Sequence, residues 1–203
     1  MQVISTENSE RLFWLGRYSE RAFTGLRMFT DRFSLMQAGN DYAGNICFDK
    51  DNPESIISSL NRAYDNAIVL RDEIGSDTFS YIQLAVYEAE NASHSKTPLL
   101  GLQKVIDNIA AFWGMADDRI EDEHARGIIK LGKRVERVDL YARLNADSED
   151  IRREIRRLSY RIAKTGLRYH EEHLDRLNEL SADMSIDYPA IVREVEALVY
   201  FAS

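Results

Sequence analysis

One short pattern occurs twice, as Leu15-Gly16-Arg17-Tyr18-Ser19-Glu20-Arg21 and as Leu131-Gly132-Lys133-Arg134-Val135-Glu136-Arg137. Aligned through Arg27 and Arg143, the copies share Leu, Gly, Glu, Arg and the later Arg, with Arg17 matched by Lys133. Both lie in strongly helical sequence, so each hangs a Glu-Arg pair and further basic groups on a helix at the same offsets. This suggests a duplicated helical unit. Each copy also places a glycine in a helix interior, at a cost of about 1 kcal/mol relative to alanine. In return, a glycine lets another helix or a ligand come close.

The remainder of the chain offers little from which to build a sheet. It has three prolines, ten glycines, few β-branched runs and no useful period-two alternation, so the expected fold is all-α. The first helix is expected from a cap at Ser5, Thr6 or Asn8 to about Met36, with Leu12, Leu15, Ser19, Ala22, Leu26, Phe29 and Phe33 on one stripe. Gly39-Asn40-Asp41 and Gly44-Asn45 read as a loop. Asn52 as cap and Pro53 in the first turn start a second helix, carrying Ile56, Leu60, Ala63, Ala67, Leu70 and Ile74. Gly75-Ser76-Asp77 leads into a third, about Thr78 to Asn91, and Pro98 opens a fourth that ends near Gly114. A fifth begins at Asp117-Asp118, a sixth runs from about Glu149 to Leu180, and a last short one starts at Pro189. An antiparallel bundle of six or seven helices around one core is the simplest architecture these lengths allow. With 203 residues and no low-complexity linker, a single domain over 1–203 is expected, its motif-bearing region about 8–146 and a basic helical tail about 147–203.

The net charge of −8 and pI near 5.1 argue against general nucleic-acid binding. The lone Cys47 has no internal disulfide partner, and no Cys-x-x-Cys pair occurs. No apolar run approaches membrane-spanning length and the N-terminus lacks a signal pattern. The reading is a cytoplasmic protein with no membrane partner.

Arg17, Glu20, Arg21, Thr24 and Arg27 lie on one side of the first helix. One reading is a solvated face of salt bridges, each contributing a few tenths of a kcal/mol. Yet Phe13, Trp14 and Met28 lie on or beside that side, so the helix is apolar nearly all round and its charges become buried. A buried arginine needs a carboxylate or an anion, because an unpaired one costs several kcal/mol. If the two helices cross at Gly16 and Gly132, Arg17, Arg21, Lys133 and Arg137 converge on one polar cavity, with Glu20 and Glu136 fixing the guanidinium planes. That arrangement makes a site for carboxylate or phosphate.

Three ordered motifs carry a family resemblance. They are Leu-Gly-Arg-x-x-Glu-Arg after Leu12-Phe13-Trp14; Asn52-Pro53-x-Ser55-Ile56 running into Arg62-x-x-x-Asn66-Ala67-x-x-x-Arg71-Asp72; and Leu-Gly-Lys-Arg-x-Glu-Arg after Phe112-Trp113-Gly114 and Gly127. Together they resemble the bacterial alpha-E family, named for its helical fold and Glu-Arg motif. The resemblance implies association with a circularly permuted ATP-grasp ligase, a transglutaminase-like protein and sometimes a proteasome-like peptidase, a set that makes, attaches or processes a peptide. It also adds Arg62, Asn66 and Arg71 to the candidate site, although as structure they form an ordinary amphipathic edge.

Other constellations are weaker. Glu121-x-x-His124 has the spacing of a di-iron ligand pair, but His170-Glu171-Glu172-His173 does not complete the set, so neither a metal nor another cofactor is expected. Arg152, Arg153, Arg156, Arg157, Arg161, Lys164 and Arg168 load one helix with positive charge. They read as a solvated face, or as a docking surface for an acidic partner or an RNA, of which the net charge favours the partner. The apolar terminal stretch Ala190 to Phe201 reads as a last core helix or as a homo-oligomer interface.

No glycine-rich phosphate loop or Gly-x-Ser-x-Gly elbow is present. The leading expectation is a helical binding or accessory protein, not catalytic on its own, that holds an anionic peptide or intermediate for a partner ATP-grasp peptide ligase. An enzyme that completes amide-bond formation, with Glu20 or Glu136 as general base, is a second reading. A purely structural helical subunit is the third.

Overall fold

The computed structural model describes residues 4–36 and 47–201, with the side chains of 29–36 outside the description. Among these residues it is all-helical, with no strand and one isolated bridge between Tyr169 and Val199. The helices are α1 (Thr6–Met36), α2 (Ile56–Val69), α3 (Arg71–Ile74), α4 (Ser76–Ser93), α5 (Pro98–Arg119), α6 (Glu123–Arg143), α7 (Ser148–Ile162), α8 (Glu171–Ala182) and α9 (Tyr188–Ala197). None is long and apolar enough to cross a membrane. The expected loop at Gly39-Asn40-Asp41 and Gly44-Asn45, and the Phe29 and Phe33 stripe positions, lie outside the description.

The count exceeds six or seven because two expected helices are each divided. The second breaks at Leu70, where the backbone leaves helical geometry before the four-residue α3. The sixth ends at Ile162. Gly166, with φ +66, turns the chain, and the bridge at Tyr169 carries it to α8. Three boundaries also differ from expectation. Ser55, not Asn52, caps α2 by accepting from the Ser58 amide at 3.2 Å, while Asn52 accepts from Glu54 in the turn before it. α5 runs past Gly114 to Arg119, because Ala116 and Ile120 continue its buried stripe. Asp122, not Asp117-Asp118, caps α6, accepting from the His124 and Ala125 amides.

Among the described residues the buried apolar side chains fall into two clusters, and Trp113 packs against both. The larger joins Leu12 and Leu15 of α1 to Phe112, to Ile128, Leu131 and Val135 of α6, and to the stripes of α7, α8 and α9. The smaller joins Ala22 and Leu26 of α1 to Leu60, Ala85, Ala89, Leu102 and Ile109. Cys47 is buried in the smaller cluster, and burial pushes its thiol up to about 12. α1 therefore serves both clusters in turn, and its most intimate neighbour is α6.

Candidate functional site

α1 and α6 touch backbone to backbone where the repeated glycines lie. A Cβ on Gly16 would sit 2.2 Å from the carbonyl oxygen of Ile129, and a Cβ on Gly132 would sit 2.0 Å from that of Phe13. Phe13 precedes Gly16 by three residues and Ile129 precedes Gly132 by three, so each copy of the motif makes the same contact on the other. No side chain fits in that space, which is what two otherwise costly helix-interior glycines achieve.

The crossing brings the charged positions together in the same reciprocal way. Arg137 donates through Nε to Glu20 at 2.6 Å, with Nη2 at 2.5 Å from the same oxygen. Its counterpart Arg21 grips Glu136 with Nε and, at 3.2 Å, with Nη2. Arg17 donates to Glu136 at 2.7 Å, and its counterpart Lys133 stands 3.9 Å from Glu20. Glu20 and Glu136 are both 0 % exposed, so their charge is sustained by these cations rather than by water. Thr24 adds a hydrogen bond to Glu20 at 2.7 Å. Among the described residues Glu20 Oε2 has no hydrogen-bond donor, and Lys133 is the cation beside it.

Aromatic rings close the flanks. Trp14 lies 5.0 Å from the Arg17 guanidinium, Tyr18 faces both Arg21 and Arg62, and Trp113 lies 4.0 Å from Lys133 Nζ. Burial opposes the charge of Arg21 and Arg137, but the hydrogen bonds and attraction of Glu136 and Glu20 outweigh it and raise both pKa values. Lys133 lacks such a short contact. Burial pulls it down to about 8, with Glu20 resisting and the neighbouring Arg137 and Arg134 assisting. Asp139, 3.5 Å from Arg17 and 2.9 Å from Arg143, is pushed above the usual carboxylate range by burial and then by Glu136.

Six of the nine residues expected at a site thus form one cluster: Arg17, Glu20, Arg21, Lys133, Glu136 and Arg137. Arg62 joins its edge through Tyr18. Asn66 instead donates to the Arg62 carbonyl within α2, and Arg71 donates to Ser76 and lies over Phe79. Thr24, expected on the charged side of the first helix, and Trp113, which precedes the third motif, also belong to the cluster, as does Asp139, which no motif marked. Asp139 was readable in part: it follows Val135 by four and Glu136 by three, which puts it on the buried side of α6.

Next to the cluster is a cavity of about 300 Å³ between the first half of α1 and the end of α9. Its walls include Glu10, Trp14 and Arg17 on α1 and Glu196, Tyr200 and Phe201 at the C-terminal side. Phe13 packs against Phe201 at a centroid distance of 5.5 Å. Arg17, 8 % exposed, is fixed by Glu136 through Nε, and no described residue accepts from its Nη1. The arrangement presents an oriented guanidinium, aromatic surface and two carboxylates to one small space.

The chain matches the model of the Alpha-E family, described as a predicted alpha-helical domain with a conserved ER motif, over residues 34–164. The second Glu-Arg pair lies inside the matched segment and the first lies before it. No curated protein and no solved structure matches the chain.

Proposed function

The chain belongs to the alpha-E family, and we propose that it is a helical binding or accessory protein that holds a carboxylate- or phosphate-bearing peptide or intermediate. The observation that carries this reading is Arg17. It is held by Glu136 on one edge and borders the cavity beside the crossing, so it is oriented before any ligand arrives. The aromatic walls suit an apolar side chain. Glu10, two helical turns and about 10 Å from Arg17 along α1, suits the ammonium that a peptide carries alongside its carboxylate. The association implied by the family resemblance makes an ATP-grasp peptide ligase the partner, within a peptide synthesis or modification system. We further infer that α1 and α6 are the two copies of an internal duplication, because their contacts exchange under the repeat alignment.

A purely structural role is the second reading. It is favoured by the sealing of Glu20 and Glu136 at 0 % exposure, which makes the Glu-Arg pairs a clamp between two helices. Native mass spectrometry of the tagged protein, recovered gently from its own host, separates the two. A small anionic adduct or an associated ligase, with the adduct absent from Arg17→Gln, supports the binding role. Bare protein across several growth conditions supports the clamp alone.

A further inference from the structure

α7 buries Ile151, Ile155, Leu158 and Ile162 and turns Arg153, Arg156, Arg157 and Arg161 the other way. Arg134 of α6 meets them across a groove of about 440 Å³ that also takes in Tyr160, itself 67 % exposed. Five guanidiniums around one groove repel one another, and two carboxylates answer them. Asp150 pairs with Arg153. Glu154, 1 % exposed, accepts from Arg134 at 2.5 Å and from Arg157 at 2.7 Å. That one buried carboxylate ties together arginines from two helices and fixes how they face the groove. Arg156 and Arg161 have no ion pair with a described residue. The groove is an organised surface with positive charge left over, on a chain whose net charge is −8.

We propose that this groove docks an acidic segment of a partner protein, with side-chain carboxylates seated on Arg156 and Arg161 and on the outer edges of Arg157 and Arg134. The spacing favours a peptide over a single small anion. Arg153 to Arg161 spans eight residues of helix, about 12 Å, which is the reach of about four residues of extended chain at roughly 3.3 Å each. The overall negative charge disfavours a nucleic-acid strand, whose phosphates extend well beyond the groove and meet the acidic remainder of the surface.

The test is fluorescence anisotropy of fluorescein-labelled hexaglutamate with the full chain at low salt, beside labelled hexalysine and an oligouridylate. The proposal expects saturable binding of hexaglutamate that salt weakens and that Arg156→Glu with Arg161→Glu weakens at least about tenfold. Arg176→Glu, a single charge reversal on α8, should leave it intact. Arg156 is exposed, so the single Arg156→Glu variant gives the same reading, several-fold weaker binding, should the double variant fail to fold. No binding of hexaglutamate, equal binding by the Arg156 variant, or tighter binding of the oligouridylate would each overturn the proposal.

Discussion

Arg137 reaches from α6 to Glu20 of α1 at 2.6 Å, across 117 positions of sequence, and Arg21 reaches back from α1 to Glu136 of α6. Removing one member of such a pair differs from removing both. Arg137→Met leaves the Glu20 carboxylate buried with Thr24 and a more distant Lys133, and should cost about 3–5 kcal/mol. Glu20→Met together with Arg137→Met removes both members of the pair, leaving Lys133 as the cation at that position, and should recover part of the loss. Urea unfolding of the single and double variants measures this, and a double variant no more stable than the single would show that the pair does not act as a unit.

The glycines should be the least tolerant positions of the crossing. Gly16→Ala and Gly132→Ala each drive a methyl into a backbone carbonyl, which cannot rotate aside as a side-chain tip can. Each should cost about 3 kcal/mol, at the upper end of overpacking, and the double variant should cost less than the sum because both act by parting the same helices. Gly114→Ala is the control. A Cβ there meets nothing within 4 Å on a regular helix, so that variant should gain up to about 1 kcal/mol.

The repeat made this crossing legible, because glycine, cation, glutamate and arginine recur at fixed offsets and helical periodicity puts them side by side. The same periodicity concealed other features. α7 and α8 read as one helix because the amphipathic pattern runs on through Thr165-Gly166, and Gly166 at φ +66 was the available stop signal. In the sequence Glu154 is the one acid between Arg152 and Arg168. Its place three residues from Ile151 and four from Leu158 puts it on the buried stripe, which is why it becomes the hub of the arginine groove. Of the four cations expected to converge on one polar cavity, Arg17 alone lines the cavity found, because that cavity depends on how residues 195–201 fold back against α1.

Lys133 should give the protein an unusual alkaline response. Its pKa is about 8 when folded and takes the ordinary 10.5 when unfolded. Between those values the unfolded chain holds the extra proton, so this residue makes stability rise as pH goes from about 8 to 10.5 and adds no slope below that window. Lys133→Met should be more stable than wild type near pH 7, and the difference should shrink through the same window. Thermal melts of both proteins from pH 7 to 10.5 provide the check, and parallel curves would count against a strained lysine.

The last helix should be part of the core. Ile191, Val195 and Leu198 are all at most 1 % exposed, and α9 packs on α6 and α8. Ile191→Ala should therefore cost about 2–5 kcal/mol. Tyr188 anchors the start of α9 by donating to the Ala146 carbonyl at 2.7 Å, and Tyr188→Phe should cost about 1 kcal/mol. A chain ended at Asp187 uncovers the α6 and α8 surfaces together and removes one wall of the Arg17 cavity. Circular dichroism and sedimentation velocity should find that shortened chain unfolded or aggregated; a folded, soluble monomer would instead assign the apolar face of α9 to contacts between molecules.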